Sequence, residues 1–366
     1  MKKHAIIPIF IPHKGCPNDC VFCNQKKITA HGKEVTVEDV ETIVETWLST
    51  LEGRGLETIE TAFFGGSFTG IPIEEQSAYL RTVKKYKDAG RIDRIHLSTR
   101  PDYIDDKILD NLERFEVDTI ELGVQSFDDR VLALSGRGHD SSCIYRAAEL
   151  IKERGFELGI QLMIGLPGDS WQSCIYSAEE TVKIGPSLAR LYPTVVIRDT
   201  ELYSRYLNGN YVPLPEEEAV KRTKDMYKIL TSAGINIIRV GLKSSDIISE
   251  NGEIGSGTFH PAFRQLVEGE LAKDQLIARL ESMNIHPAKT GDMGTDPTAG
   301  IRDVCSAHPV KADFFSNRKS FSNMVGHKKR NKKFFLEMYP QLNILYKVND
   351  NLPDDQFEIK IKGEEQ

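Results

Sequence analysis

Short apolar runs alternate with segments of helical periodicity over the first two thirds of the chain. Residues 5–11 form a β-branched and aromatic run that predicts a buried strand. Thr36 followed by Asp39 approximates a capping box, and apolar positions then recur at helical spacing up to Leu51. Further strands are predicted over residues 59–64, 95–99, 119–124, 158–164 and 188–197, with a candidate last strand over 235–240. Helices are predicted over residues 72–87, 105–115, 128–134, 142–154, 170–183 and 215–233.

This alternation predicts an α/β fold. Strands separated by helices pair in parallel through right-handed crossovers, so we expect the sheet to curl into a partial (β/α)6 TIM-type barrel. The carboxyl ends of parallel strands share one rim, which is where such folds build their sites. We expect the barrel to occupy residues 1–265 and a small C-terminal α/β accessory domain, a candidate RNA-binding domain, to occupy residues 266–366.

Composition and charge exclude several classes of protein. The 366 residues are 40% hydrophobic, which allows a large core, and no apolar stretch approaches the roughly 18 to 20 residues that span a membrane. A net charge of −7 argues against a surface that coats nucleic acid but permits a local basic patch. The N-terminal apolar run is short and is broken by Pro8, so we expect no export signal, reduced thiols and a cytoplasmic protein.

Three cysteines form the most informative motif. Cys16, Cys20 and Cys23 have the spacing C-x3-C-x2-C and directly follow the first predicted strand. Thiolates are soft ligands that suit zinc or an iron–sulfur cluster, and a four-iron cluster on three cysteines keeps one iron open to another ligand. A structural zinc site completed by a histidine is the main alternative, with three candidates nearby: His4, His13 and His31.

Unusual loops follow the other predicted strands at their carboxyl ends. They contain Gly65-Gly66-Ser67, Ser98-Thr99-Arg100, Gln125-Ser126 and the segment from Met163 to Gly168. Taken singly, these loops have ordinary explanations: a turn that needs positive φ, a surface turn, solvated polar residues, or core packing beside a tight turn. In a parallel barrel, however, all of them converge with the cysteines on one rim.

The cysteine spacing, with Phe22 before the third cysteine, resembles the signature of the radical S-adenosylmethionine (SAM) superfamily. That resemblance implies that Cys16, Cys20 and Cys23 hold a [4Fe-4S] cluster whose open iron binds the amino and carboxylate groups of SAM. It also implies a set of SAM contacts. These are Gly65 and Gly66 with the neighbouring Ser67 at the amino group, Arg100 at the carboxylate, Gln125 and Ser126 at the ribose, and Phe22, Met163 and Gly165 near the adenine.

Four further segments, residues 98–103, 121–126, 163–168 and 192–200, resemble the radical SAM domain of the Elongator catalytic subunit. Members of that family modify the wobble uridine of tRNA, and the resemblance implies that Tyr192 and Arg198 are catalytic, substrate-side residues. Framework positions at a strand end are the alternative for both. The cysteine spacing is more compact than in that family. The chain also ends about where an acetyltransferase domain would begin, so we expect a short stand-alone form.

The C-terminal segment is strongly basic. Between residues 311 and 333, eight lysines and arginines face only Asp313. Gly326-His327-Lys328-Lys329 is faintly similar to the loop of an RNA-binding KH module, although the second glycine is missing. A solvated helix surface is the alternative.

These observations predict a radical SAM enzyme. The resemblance implies reductive cleavage of SAM at the [4Fe-4S] cluster to a 5′-deoxyadenosyl radical, with a ferredoxin or flavodoxin as electron donor. The substrate we expect is RNA, in particular tRNA. Two alternatives stay open: a radical SAM enzyme that acts on a small molecule, and a non-catalytic, metal-stabilised RNA-binding protein.

Overall fold

A computed structural model describes residues 3–11, 16, 20–24, 35–242, 253–288 and 309–362. The chain divides into two compact units, Met1–Pro261 and Ala262–Gln366. His13 and His31, two of the candidate zinc ligands, lie outside the described residues.

The first unit is built on a curled sheet of seven parallel strands in the order β1-β2-β3-β4-β5-β6-β8. The strands are β1 (His4–Ile11), β2 (Thr58–Gly65), β3 (Arg94–Thr99), β4 (Thr119–Gln125), β5 (Glu157–Ile164), β6 (Leu188–Pro193) and β8 (Asn236–Val240). The predicted fold class, a partial TIM-type barrel, is confirmed, and the candidate last strand completes the sheet as its seventh member.

Helices follow the strands as the periodicity predicts. They are α1 (Val37–Leu51), α2 (Ile73–Asp88), α3 (Asp106–Arg114), α4 (Asp129–Leu134), α5 (Ser141–Glu153), α6 (Trp171–Ile184), α7 (Glu201–Leu207) and α8 (Glu216–Ser232). The predicted capping box is present, because Thr36 Oγ1 accepts from Asp39 N at 3.2 Å while Asp39 Oδ2 accepts from Thr36 N at 2.9 Å. The short helix α7 was not predicted.

Each strand of this sheet has two different faces. In β4, for example, Ile120, Leu122 and Val124 are fully buried on one face, the face that helices cover, while Glu121 points to the other. The second face lines the inside of the half-barrel. It carries polar and charged side chains beside the aromatic rings of Phe10 and Phe64, so the sheet has an apolar exterior under the helices and a mixed, partly charged interior.

The predicted strand over residues 188–197 is wrong in one respect, because it is two strands. β6 ends at Pro193, after which Thr194 N donates to Ile164 O at 2.8 Å. The chain then continues as β7 (Val195–Ile197), which pairs antiparallel with β9 (Ile254–Gly257) in a separate two-stranded sheet. Both strands are buried, so apolar residues continue through the break and their pattern does not indicate where β6 ends.

The second unit contains a three-stranded sheet covered on one face by helices. Its strands are β10 (Val310–Ser316), β11 (Leu342–Val348) and β12 (Phe357–Lys362), in the order β11-β10-β12. Its helices are α9 (Phe263–Ser282), α10 (Phe321–Val325) and α11 (Arg330–Met338). Phe314, Phe335 and Tyr339 form the centre of its apolar core. The sequence analysis predicted neither β10 nor β12.

Among the helices that the structure describes, none has the length and apolar character needed to cross a bilayer.

Candidate active site

The cysteine loop is attached to the carboxyl end of the barrel by its backbone. Val21 N donates to Ser135 O, at the end of α4, at 3.1 Å, and Val21 O accepts from Leu202 N, in α7, at 2.7 Å. Cys23 N donates to Cys20 O at 2.9 Å, which closes a turn between the second and third cysteines. The unpredicted helix α7 therefore helps to position the motif.

Two buried arginines lie beside the cysteines. Arg137 Nη1 donates to Cys20 Sγ at 3.2 Å, and Arg100 Nη1 lies 3.9 Å from the same sulfur. Arg100 is otherwise held by Asp102, which accepts from Nε at 2.9 Å and from Nη2 at 2.8 Å. Burial raises the pKa of the Cys16 thiol, and the positive charges of Arg100 and Arg137 oppose that rise. Cys16 and Cys20 thus share one cationic environment.

Arg137 differs from Arg100 in having an unused donor. Its Nη2 donates to Gly123 O, at the end of β4, but its Nε is buried, and no described residue accepts a hydrogen bond from it. A buried donor without an acceptor is costly, so such a group suggests a missing anionic or polar partner. Sequence analysis did not select Arg137. The signal available was its position in a glycine-flanked loop after the fourth predicted strand.

Gly65 lies where the ends of β1 and β2 meet. Its φ is +112°, and a Cβ built on it would lie 2.7 Å from Ile11 O. The neighbouring Gly66 N donates to the same oxygen at 2.9 Å. Both positive φ and close backbone approach therefore require glycine at position 65, whether or not a cofactor also contacts it.

The hydroxyls of Ser67 and Ser126 are buried and already bonded within the protein. Ser67 Oγ lies 2.8 Å from Thr99 Oγ1 and accepts from Arg100 N at 3.1 Å. Ser126 Oγ accepts from Asp128 N at 3.1 Å. These side chains fix the turns after β2 and β4, and any cofactor contact from either residue would come in addition to these bonds.

Gln125, Met163 and Gly165 lie at the carboxyl ends of β4 and β5. Gln125 is partly exposed and has a φ of +70°, next to a register shift in the pairing with β5. Met163 is also partly exposed, on the inner face of its strand. Gly165 N donates to Asp169 Oδ2 at 2.7 Å, and Gly165 O accepts from Tyr211 Oη at 2.6 Å. A cavity of about 310 Å³ borders this last turn.

A chain of charged side chains crosses the inside of the half-barrel below this rim. His96 Nδ1 lies 2.8 Å from Glu60 Oε1, and His96 Nε2 lies 3.3 Å from Glu121 Oε2. Glu121 Oε2 also accepts from Arg190 Nε at 2.8 Å, and Arg190 Nη1 donates to Tyr192 Oη at 3.3 Å. We call these five residues the interior chain. It connects β2, β3, β4 and β6, reaching across β5 between the last two, and ends at Tyr192, near the rim.

The interior chain keeps its charges through mutual contact. Burial alone would lower the pKa of His96, but the carboxylates of Glu121 and Glu60 raise it to about 9. Burial opposes ionisation of Glu121, yet Arg190 and His96 hold its pKa below the ordinary value. Burial raises the pKa of Tyr192, so its phenol is neutral at pH 7. Two anions therefore face two cations, with a neutral hydroxyl at the end.

Comparison with known families decides the assignment. A family model described as the Radical SAM superfamily matches residues 10–180, and one described as the Radical_SAM C-terminal domain matches residues 186–273. The chain belongs to the radical SAM superfamily. Radical SAM proteins are enzymes that use a [4Fe-4S] cluster and SAM, which agrees with the cofactors expected from the cysteine motif.

Three relatives show how far the similarity extends. A tRNA uridine(34) acetyltransferase of Methanocaldococcus infernus is 30% identical over 255 residues, covering 59% of this chain and 48% of that protein. Elongator complex protein 3 of Schizosaccharomyces pombe is 27% identical over 180 residues, covering 43% of this chain and 33% of that protein. The solved structure of M. infernus Elp3 with an N-terminal deletion (1–46) has a TM-score of 0.60 at 23% identity, covering 75% of this chain and 64% of that one.

The radical SAM chain spans about half the length, or less, of these two curated relatives. The solved structure of M. infernus Elp3 has the same fold as this chain over the matched residues.

The donor set near the cysteines fits a thiolate-ligated cluster of the radical SAM type. Soft sulfur ligands and two buried guanidinium groups suit an anionic iron–sulfur centre. Among the residues that the structure describes, no three Cys, His, Asp or Glu side chains are grouped closely enough to hold one metal ion. Joint ligation by Cys16, Cys20 and Cys23 therefore stays a prediction.

The structure separates three other predicted site residues of this radical SAM enzyme. Phe22 is partly buried against an apolar cluster that contains Val196 and Tyr211. Tyr192 lies on the inner face of the barrel sheet, whereas Arg198 is exposed after β7, where its backbone N donates to Glu253 O at 2.8 Å. Tyr192 thus belongs to the seven-stranded sheet, whereas Arg198 follows the end of the two-stranded sheet of β7 and β9.

Sequence analysis missed the other four members of the interior chain of this enzyme. Glu60, His96, Glu121 and Arg190 each lie within an apolar strand, at alternate positions that point inward. Several predicted parallel strands each carry a charged residue at an inward-pointing position. This pattern could have identified them, because inward-pointing side chains of neighbouring strands meet inside a barrel.

Proposed function

We propose that Cys16, Cys20 and Cys23 bind a [4Fe-4S] cluster at the carboxyl end of the half-barrel and that the surrounding rim binds SAM. When bound, the cluster supplies the electron that cleaves SAM reductively. The observation that carries this proposal is the pair of buried arginines beside Cys20 at the rim of a parallel half-barrel. The protein's own contribution is to bind and orient SAM and to exclude water.

Arg137 is our candidate for the SAM carboxylate, in place of the Arg100 expected from sequence. The guanidinium of Arg100 is occupied by the two oxygens of Asp102, whereas no residue in the described part of the chain accepts from the buried Nε of Arg137. A carboxylate is the natural partner of such a group. The other proposed contacts are unchanged from the sequence analysis: Phe22, Gly65, Gly66, Ser67, Gln125, Ser126, Met163 and Gly165.

Arg137→Gln tests this assignment. Loss of a charge-assisted hydrogen bond should weaken SAM binding about tenfold to a hundredfold, measured by equilibrium dialysis on the anaerobically reconstituted protein. Arg91→Gln, which removes an exposed arginine paired with Glu45 on α1, is the matched control. Full SAM affinity in Arg137→Gln, with iron content unchanged, would contradict the role of Arg137.

We propose that the substrate lies inside the half-barrel, against the exposed end of the interior chain. Tyr192 accepts a hydrogen bond from Arg190, so its own O–H can be donated to an acceptor on the substrate. The neutral phenol suits a carbonyl oxygen of a nucleobase. Arg190 is a positioning residue, because it acts through Tyr192. Arg198 is proposed as a second substrate-side residue, at the exposed end of β7.

We propose that the substrate is RNA, in particular tRNA. The relative with 30% identity is named a tRNA uridine(34) acetyltransferase, and another is Elongator complex protein 3. The match covers about half of the first protein, so only the radical SAM part of such an activity is proposed here. The enzyme would act in the cytoplasm, where its thiols stay reduced, with a ferredoxin or flavodoxin as its electron donor.

Nucleoside mass spectrometry of tRNA tests the substrate. Cells with and without the gene should differ in one modified uridine, and a Cys20→Ala allele should reproduce the deletion. Identical nucleoside profiles, together with SAM cleavage by the purified protein, would exclude tRNA and favour the small-molecule alternative.

A further inference from the structure

The sheet of the second unit has one face that none of the described helices covers. Alternation along β10, β11 and β12 places the core residues, such as Phe314 and Ile359, on the helix side. The opposite side, which we call the open sheet face, consists of nine residues: Lys311, Asp313, Phe315, Asn343, Leu345, Lys347, Glu358, Lys360 and Lys362. The sequence analysis noted the basic segment that contains Lys311 but did not identify this face, and the proposed function assigns no role to it.

The open sheet face carries an excess of positive charge. Four lysines stand against two carboxylates, which gives a net charge of +2 over nine residues in a protein whose total is −7. Asp313 is buried between Lys347 Nζ at 2.6 Å and Lys362 Nζ at 3.4 Å. Lys360 is 3.6 Å from Glu358 and its side chain remains 60% exposed. The face is therefore complementary to an anion.

An aromatic ring lies in the middle strand among these lysines. Phe315 belongs to β10 and is partly exposed, with the Nζ atoms of Lys360 and Lys347 at 5.4 Å and 6.0 Å from its ring centroid. Leu345, on the neighbouring strand, is 48% exposed. These two residues are the apolar part of a face that is otherwise charged or polar. A protein partner would require a larger apolar centre.

We propose that the open sheet face binds single-stranded RNA, with a base stacked on Phe315 and the backbone phosphates close to the lysines. An aromatic ring flanked by cations on a sheet surface matches the two requirements of single-strand binding, a stacking platform and a positive groove. The choice of RNA over other polyanions rests on the proposed function. The face itself is independent of SAM chemistry.

The test uses the full chain and a fluorescein-labelled ten-nucleotide uridine RNA, with binding measured by fluorescence anisotropy at several salt concentrations. The double variant Lys311→Gln and Lys360→Gln removes two charges from the face without touching the partners of Asp313. It should weaken binding and reduce the slope of log K against log salt by about 1 to 1.5. Lys107→Gln with Lys221→Gln, two exposed lysines of the barrel, is the matched control and should change neither quantity.

Phe315→Leu provides a second measurement that keeps the charge and the apolar character. Loss of the stacking ring should reduce affinity about tenfold and leave the salt slope unchanged. An unchanged affinity in both face variants would overturn the inference. So would equal binding of a glutamate-rich peptide of the same charge. A loss confined to a triple variant of Lys328, Lys329 and Arg330 would also overturn it, because binding would then belong to the basic loop before α11.

Failure of this inference and failure of the proposed function are distinguishable. SAM cleavage without RNA reports on the cysteine site alone, and the face variants should retain it fully. RNA binding that depends on the open sheet face in a protein that cannot cleave SAM would leave the inference standing and contradict the enzymatic proposal.

Discussion

Replacing His96 by glutamine should remove the contribution of this imidazole to the pH dependence of barrel stability in the alkaline range. The carboxylates of Glu121 and Glu60 raise the pKa of His96 from 6.5 to about 9, against the effect of burial. Below about pH 6.5 the imidazole is protonated in the folded and unfolded states, so the stabilisation by the two carboxylates is fully present. It is lost as the pH rises through the folded-state pKa.

The size of the effect follows from linkage. A pKa raised from 6.5 to about 9 in a buried group corresponds to about 3 kcal/mol of unfolding free energy. Glutamine is neutral at every pH, so His96→Gln lacks this contribution throughout. The stability difference between wild type and variant should therefore shrink by about 3 kcal/mol between about pH 6 and pH 10.

Urea denaturation followed by tryptophan fluorescence measures this difference. Both tryptophans, Trp47 and Trp171, lie in the barrel unit, so the signal reports on the part that contains His96. His286→Gln, at an exposed position of the second unit, controls for loss of an imidazole. Stability curves for wild type and His96→Gln that run parallel from pH 6 to pH 10 would refute the charged interior chain.

Two further substitutions test the barrel. Glu121→Gln leaves Arg190 buried without its carboxylate partner, so the unfolding free energy should fall by about 3 to 5 kcal/mol in urea denaturation; a loss below about 1 kcal/mol would contradict the ion pair. Gly65→Ala combines positive φ with a clash on Ile11 O, so it should lower stability by about 1 to 3 kcal/mol more than Gly90→Ala, which has positive φ and open space. Equal losses for the two alanine variants would show that the clash is relieved.

Much of the barrel could be predicted because its signals are local. Apolar runs mark the strands, and a capping box marks the start of α1. Parallel pairing then follows from the alternation with helices, and it brings the rim loops together without any long-range information. The break after Pro193 could not be predicted, since it depends on β9, which lies about 60 residues further along the chain.

The candidate site was less predictable because its side chains are shared with the framework. Ser67 and Ser126 were selected as small polar residues near SAM, yet their hydroxyls hold turns whose partners come from other loops. Arg100 and Arg137 look alike in sequence. Only the structure shows that Asp102 binds the guanidinium of Arg100. It also shows that Arg137 has a buried donor without an acceptor among the described residues.

The basic segment of the second unit was also difficult to interpret from the sequence. The charge run in residues 311–333 was interpreted as a basic patch or a solvated helix. Part of it is strand β10, in which Lys311, Asp313 and Phe315 share one face. Apolar and charged residues alternate at the start of β10, as expected for a strand, but the many charged residues in this segment favoured its interpretation as a basic patch.

The most direct test of the central claim is formation of 5′-deoxyadenosine by the purified chain. After anaerobic reconstitution with iron and sulfide, the protein should contain about four of each per chain and should release 5′-deoxyadenosine from SAM on addition of dithionite. The triple variant Cys16→Ala, Cys20→Ala and Cys23→Ala should neither retain the iron and sulfide nor release 5′-deoxyadenosine. A protein that binds zinc instead and releases no 5′-deoxyadenosine would contradict the account.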